Sequence, residues 1–276
     1  MSSSEAVQAH YTSPEMPTRI EEALTRAGLG AGPLDWSALA PLDQFHVRGL
    51  AASRELAEGL GVTGGEHVLD IGSGLGGPAR YLAAVHGCTV TGIELTPLFV
   101  QIAGELSRRT GLADRVGFVQ GDALALPFPP ESFDHAWTQH VAMNIEDKAG
   151  LYRGIFRVLN PGGRLALYDV LLGENGSPVY PLPWARDARI SFLASPAELA
   201  GDLRAAGFRE VSTLDTTDRA TAWFGEVQAT QPASGSAAPL TLGNVVGPAF
   251  GPATANLARN LREGRLRLMQ VVVQKD

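Results

Sequence analysis

A short apolar run, His67-Val68-Leu69-Asp70-Ile71, carries an acidic residue near its end and passes directly into Gly72-Ser73-Gly74-Leu75-Gly76-Gly77. Glycines at a strand-to-helix turn allow positive φ and let a ligand approach the backbone closely. The residues that follow keep the same alternation. A helix is expected over 77–85, a strand over 89–94, and a helix opened by Thr96 as N-cap with Pro97 at its first position. Strands are expected at 115–119, 133–138 and 164–172, with a helix over 148–159 before the last of them. Beyond these come a helix over 196–206 stopped by Gly207, a strand over 208–214, a helix over 254–263 and a strand over 266–273. Strand-helix alternation at this spacing argues a parallel sheet covered on both faces, an α/β fold.

The flanks read differently. Residues 2–17 are polar and suggest a loose or accessory terminus. Ile20, Leu24 and Ala27 space as a short helix ending at Gly28, and 42–60 reads as one helix with Leu42, Phe45, Leu50, Leu56 and Leu60 inward. Residues 1–60 are therefore expected to form a helical cap on a core spanning 61–276. An irregular stretch at 173–195, with Tyr180, Trp184 and Phe192, reads as a lid insertion, and the Ser/Ala/Pro-rich run 231–239 as a mobile loop.

Composition narrows the partners. The formal charge of -7 has the wrong sign for a phosphate backbone, so no nucleic-acid partner is expected. The single cysteine, Cys88, allows no internal disulfide, and no Cys/His spacing suits zinc, so no metal is expected. Nothing approaches the ~18 apolar residues of a membrane span, and the first residues lack a signal-peptide core. The expectation is a soluble cytoplasmic enzyme acting on a small molecule, with room for a homodimer.

Glycine loops of this type also hold dinucleotides, and Glu94 at the end of the second strand would accept from ribose hydroxyls in either case. Asp70 discriminates: a carboxylate there suits a ligand ammonium and repels a pyrophosphate. The stretch 68–76, acidic Glu94, Gly121-Asp122-Ala123, Leu126-Pro127-Phe128 with Phe133-Asp134, and Arg157-Val158-Leu159-Asn160-Pro161-Gly162-Gly163 together resemble class I S-adenosylmethionine-dependent methyltransferases. Leu42-Asp43-Gln44-Phe45-His46, Gly76-Gly77-Pro78-Ala79-Arg80 and the run 139–145 are similar to bacterial sarcosine/dimethylglycine and ubiquinone/menaquinone-type enzymes. The Gly-Gly-Pro extension also resembles sterol and prenyl-diphosphate carbon methyltransferases.

The resemblance implies a Rossmann-like doubly wound sheet of seven strands, mostly parallel with an antiparallel C-terminal strand, and an N-terminal helical cap. It places the methionine moiety of S-adenosylmethionine over Asp70, Gly72 and Gly74, and the ribose on Glu94 beside Leu95. Asp122 and Ala123 would meet the adenine, and Gln139 and His140 would lie beside the sulfonium. S-adenosylhomocysteine would be the product.

The acceptor is less defined. His140, Asp169 and His46 are the candidate bases, each with an ordinary structural alternative: a turn cap, a backbone partner, a helix-face histidine. Phe45, Met143, Asn144, Tyr180, Trp184 and Trp223 are the candidate substrate-pocket residues, suiting an apolar, planar or cationic acceptor. Arg186 and Arg189 are set to meet a substrate anion or solvent. Of 22 basic residues only Lys148 and Lys275 are lysine, a habit of GC-rich bacterial genomes whose methyltransferases tailor specialised metabolites. A non-methylating protein of the same fold, pericyclase-like or structural, is the alternative.

Overall fold

The computed structural model describes residues 3–30, 32–230 and 240–276. Four helices precede the sheet: α1 (Ser3–Tyr11), α2 (Met16–Arg26), α3 (Ala40–Asp43) and α4 (Gly49–Leu60). The alternating region then gives β1 (His67–Ile71), α5 (Gly77–Tyr81) continued by a π turn at Leu82–His86, β2 (Thr89–Glu94), α6 (Pro97–Arg109) and β3 (Val116–Gln120). It continues through β4 (Phe133–Gln139), α7 (Lys148–Val158), β5 (Leu159–Leu172), α8 (Pro196–Ala205) and β6 (Phe208–Asp215). Three helices, α9 (Thr217–Thr230), α10 (Leu242–Val246) and α11 (Phe250–Arg262), lead to β7 (Leu266–Lys275).

The seven strands form one sheet in the order β3-β2-β1-β4-β5-β7-β6. The pairs among β1 to β5 are parallel, and β7 runs antiparallel to both β5 and β6. The order reverses between β1 and β4, and in open sheets of this kind ligands bind outside the carboxyl ends of the strands at such a switch point. In that register Asp70 stands between Gly92 and Trp137, so the acidic end of β1 lies at the centre of the sheet.

Each face is closed by helices whose apolar stripes match the sheet. Leu56, Leu60, Trp137, Tyr168 and Leu257 share one cluster, while Leu151, Ile155, Leu167, Leu203 and Phe208 share the other. A third cluster joins Ile20, Leu24, Leu42, Leu75, Phe99 and Val245, so the N-terminal helices pack directly on the glycine loop. Each fully buried leucine there contributes about 1.5–3 kcal/mol.

Three sequence expectations are corrected. The polar terminus is helical from Ser3, because Val7 and Tyr11 share a face one turn apart and both turn inward. The single helix expected over 42–60 is two. It breaks after Asp43, whose carboxylate pairs with Arg80 at 2.7 Å, and restarts after Arg48 in the left-handed region at φ 68°. Thr96 stands at the N-cap of α6 with Pro97 in its first turn, as expected; its side chain makes no cap bond, and its N–H donates to Glu94 Oε1 at 2.8 Å. The helices α9 and α10 were not expected. The expected loop 231–239 lies outside the described residues.

Candidate functional site

A cavity of about 420 Å³ opens at the carboxyl ends of β1, β2 and β4, under the N-terminal helices. Its floor is the glycine loop. Gly72 sits at φ 68°, and a Cβ there would come within 2.5 Å of Val141 Cγ2, so both its conformation and its space require glycine. The N–H groups of Gly72 and Ser73 donate to the Ile93 carbonyl at 2.8 and 3.2 Å, which ties the loop to β2.

Three carboxylates flank this floor. Asp70 is 3% exposed, and its Oδ2 has no partner within the protein. Burial, with Glu94's charge adding to it, pushes the Asp70 carboxyl up to about 7. Glu94 accepts from the N–H groups of Gly74 (3.0 Å) and Thr96 (2.8 Å), so backbone bonds fix both oxygens; burial still raises its pKa. Asp122 accepts from Leu124 N–H at 2.9 Å and starts the 3₁₀ turn Ala123–Ala125. Asp70, Gly72, Gly74, Glu94, Leu95, Asp122, Ala123 and Gln139, all expected from sequence to serve one ligand, lie on this one cavity wall.

The two histidines differ in what they can do. His140 ends β4 at φ 57°, uncommon for a residue with a side chain. Its Nδ1–H donates to the Tyr168 carbonyl at 3.0 Å and its Nε2 accepts from Val47 N–H at 3.2 Å, so backbone groups engage both ring nitrogens. Burial pulls its pKa down to about 4. His46 lies beside it, ring centroids 6.1 Å apart, in the break between α3 and α4. With the proton on Nε2, that N–H donates to the Gly49 carbonyl at 2.9 Å and lies 3.1 Å from Ser53 Oγ and 3.3 Å from Gln139 Nε2; Nδ1 then carries the lone pair, on a residue that lines the cavity. Burial first, and His140 second, hold it down at about 3, so the ring is neutral.

His140 is therefore placed as a staple between the N-terminal segment and β5. The unfolded chain takes up a proton there below about pH 6.5 that the folded chain refuses, so stability is lost as the pH falls from about 6.5 towards 4. His140→Ala is expected to lower stability at pH 7.5 by about 1–2 kcal/mol through its two lost hydrogen bonds. It should also reduce the further loss at pH 5; urea unfolding at both pH values checks this.

Asp169 is not on the wall. It is 1% exposed beneath the loop after β4, where Oδ2 accepts from Ala142 N–H at 3.2 Å and burial raises the carboxyl to about 7. Tyr180 also misses the wall and packs on the core, whereas Phe45, Met143, Asn144, Trp184 and Trp223 line it. Arg186 and Arg189 do not reach the cavity, and Arg189 pairs with Asp187 at 2.8 Å. Sequence reading missed Val7, Tyr11, Phe99, Leu242, Phe250 and Leu257 on the wall. Among the described residues no three His, Cys, Asp or Glu side chains converge as a metal group would need.

Residues 69–167, the span that builds this floor and the end of β4, match the family described as methyltransferase domain. This match covers about a third of the chain. Around it the similarity extends further. The chain is 37% identical over 126 residues to a sterol 24-C-methyltransferase of Eremothecium gossypii, covering 46% of this chain and 34% of that protein. It is 35% identical over 178 residues to the erythromycin 3''-O-methyltransferase of Saccharopolyspora erythraea, covering 60% and 58%. The chain thus spans less than two thirds of either relative's length. The crystal structure of the 4+2 cyclase SpnF superposes with a TM-score of 0.67 at 25% identity, covering 100% of this chain and 97% of that one. No helix among the described residues is long and apolar enough to cross a membrane.

Proposed function

We propose that the chain binds S-adenosylmethionine at the glycine loop and transfers its methyl group to a small molecule. The observation that carries this is the buried Asp70 carboxylate, with one oxygen lacking any protein partner, on the same wall as Glu94 and Asp122. The residues fit the donor. Asp70 would accept from its ammonium, Glu94 from its ribose hydroxyls, and Asp122 with Ala123 would meet the adenine. Bound there, S-adenosylmethionine supplies an electrophilic methyl: the C–S bond breaks with its electron pair left on sulfur while an acceptor lone pair bonds the carbon. The protein's part is to align the acceptor, exclude water and receive the acceptor's proton.

In this reading His46 Nδ1 receives that proton, while His140 and Asp169 position the wall. Residues 1–60 act as the cap and 173–195 contribute Trp184. A bacterial specialised metabolite as acceptor, a cytoplasmic setting and a homodimer complete the proposal. It draws support from the arginine-rich composition and from the similarity to an erythromycin-modifying enzyme.

Calorimetric titration with S-adenosylmethionine, S-adenosylhomocysteine and NAD tests the donor site. Both sulfur nucleosides should bind in the micromolar range and NAD should not; the reverse overturns the reading. Asp70 must be ionised and the ligand amine protonated, so affinity should peak between about pH 7 and the α-amino pKa near 8. Asp70→Asn should lower affinity and flatten the acid limb. A second reading, a cyclase that uses no methyl transfer, draws on the similarity to SpnF over the whole chain. Release of S-adenosylhomocysteine in proportion to product separates the two.

A further inference from the structure

The charged side chains on the cavity wall are all carboxylates: Asp43, Asp70, Glu94, Asp122, Glu146 and Asp147. No lysine or arginine among the described residues lines it. The nearest cations are engaged elsewhere. Arg80 is fully buried against Asp43, and Lys148 Nζ donates to the carbonyls of Ala142, Ile145 and Phe192. Away from the glycine loop the wall is mainly apolar, with Val7, Phe45, Phe99, Trp184, Phe250 and Leu257 among its side chains and Tyr11, Asn144 and Thr254 as uncharged polar ones. Its rings pack on one another. Phe45 and Phe99 stack at 5.7 Å and 13°, Tyr11 meets Phe99 edge-on at 6.3 Å, and Trp223 meets Phe224 at 4.9 Å.

From this wall we infer that the acceptor is an uncharged, mainly apolar molecule that offers a neutral hydroxyl, and that the cavity rejects both anions and ammonium ions. The inference rests on the methyl-transfer reading and narrows its substrate. A phosphate or carboxylate brought inside would find no lysine or arginine on the wall to pair with, and a buried charge without a protein partner is costly. An ammonium would enter beside the donor's own sulfonium, with Asp70, Glu94 and Asp122 assigned to the donor and Asp43 paired with Arg80. Phe45 and Phe99 stack on each other and Trp223 meets Phe224 edge-on, an arrangement unlike the rings boxed around a point that a cation cage requires.

The proton argues the same way. His46, with its proton held on Nε2, is an imidazole base on the wall, and burial keeps it a weak one. A weak imidazole cannot strip an ammonium. It can receive the proton of a hydroxyl as the new O–CH₃ bond forms, because a methylated oxonium is a far stronger acid than an imidazolium. Oxygen then keeps the O–H electron pair, and the imidazolium returns its proton to water.

The test uses the full chain saturated with sinefungin, a donor analogue with an ammonium where the sulfonium stands. Octan-1-ol, octanoate and octylammonium are titrated against the fluorescence of Trp184 and Trp223. The alcohol should bind at least about tenfold more tightly than either ion, since neither ion finds an oppositely charged wall side chain free to pair with it and an unpaired buried charge is costly. Equal or tighter binding of either ion, or no binding of the alcohol to the sinefungin complex, overturns the inference. Failure of sinefungin itself to bind would instead remove the methyl-transfer reading beneath it. Phe250→Arg, at a half-buried wall position, should raise octanoate affinity at least about tenfold. Unchanged octanoate affinity in a folded variant would show that wall charge does not select, and would overturn the inference as well.

Discussion

His46→Ala is expected to slow methyl transfer to a hydroxyl acceptor by about 100- to 10,000-fold, the usual contribution of a positioned general base. Donor affinity should change little, because His46 is not among the groups assigned to the donor. The ring is prepared for the task by the chain around it. The Gly49 carbonyl at 2.9 Å holds the proton on Nε2, which leaves the lone pair on Nδ1 of a ring that lines the cavity. Burial holds the pKa at about 3, so the base form is fully present across the physiological range. With the donor saturating at every pH, turnover should therefore stay level from about pH 8 to 5, where an ordinary histidine near 6.5 would lose most of its base form. The release of S-adenosylhomocysteine is followed against pH for wild type and variant, with free imidazole added to the variant. Partial rescue by imidazole marks a chemical role, which a collapsed 44–48 loop would not show. Wild-type turnover in His46→Ala removes it as proton acceptor.

The donor side of this site is encoded locally, which is why the sequence exposes it. Asp70, Gly72 and Gly74 fall within five residues, Glu94 ends β2 beside β1, and Asp122 lies two residues past β3, which pairs with β2. Parallel strands bring their ends to one edge, so three separate motifs meet without any fine detail of packing. The acceptor side obeys longer-range rules. Tyr168 and Asp169 are adjacent on β5, and alternate residues of a strand face opposite sides. Tyr168 accordingly meets the two histidines, at ring distances of 4.8 and 6.0 Å, while Asp169 falls on the α7 side under Ala142. Nearness to a strand end made Asp169 a candidate base, and the pleat takes it out of the cavity.

His140 shows a second limit of reading the chain alone. Its position at the end of β4 is legible, but its availability depends on Val47 and Tyr168, which are distant in sequence and consume both nitrogens. The N-terminal helix was hidden for a different reason. Val7 and Tyr11 are isolated apolar residues in a polar segment, too few to give a periodic stripe. Their burial is supplied by Phe99 and Asn144 from the core, with Tyr11 and Asn144 in contact at 3.3 Å.

Arg80→Met is expected to cost about 3–5 kcal/mol of unfolding free energy at pH 7.5, the range found when one member of a buried ion pair is removed. Arg80 is entirely buried and joins three parts of the site. Its guanidinium donates to Asp43 Oδ2 and the Leu75 carbonyl, both at 2.7 Å, and to the Ala103 carbonyl and Ser107 Oγ at 3.3 and 3.1 Å. The N-terminal segment, the glycine loop and α6 are thereby fixed to one group. Methionine fills similar volume but leaves Asp43, 2% exposed and with Oδ1 already unpartnered, as an uncompensated buried charge. Burial outweighs Arg80 in wild type and raises Asp43 to about 6; without the guanidinium the carboxyl rises further. An acid with a raised folded pKa binds its proton more tightly folded than unfolded, so the variant gains relative stability as the pH falls. The gap to wild type should narrow between pH 7.5 and 5, and Asp43→Leu added to Arg80→Met should recover part of the loss. Urea unfolding of the three proteins at both pH values decides the matter. A single-variant loss under about 1 kcal/mol, the level of an exposed pair, would mean that the pair does not hold the cap to the glycine loop.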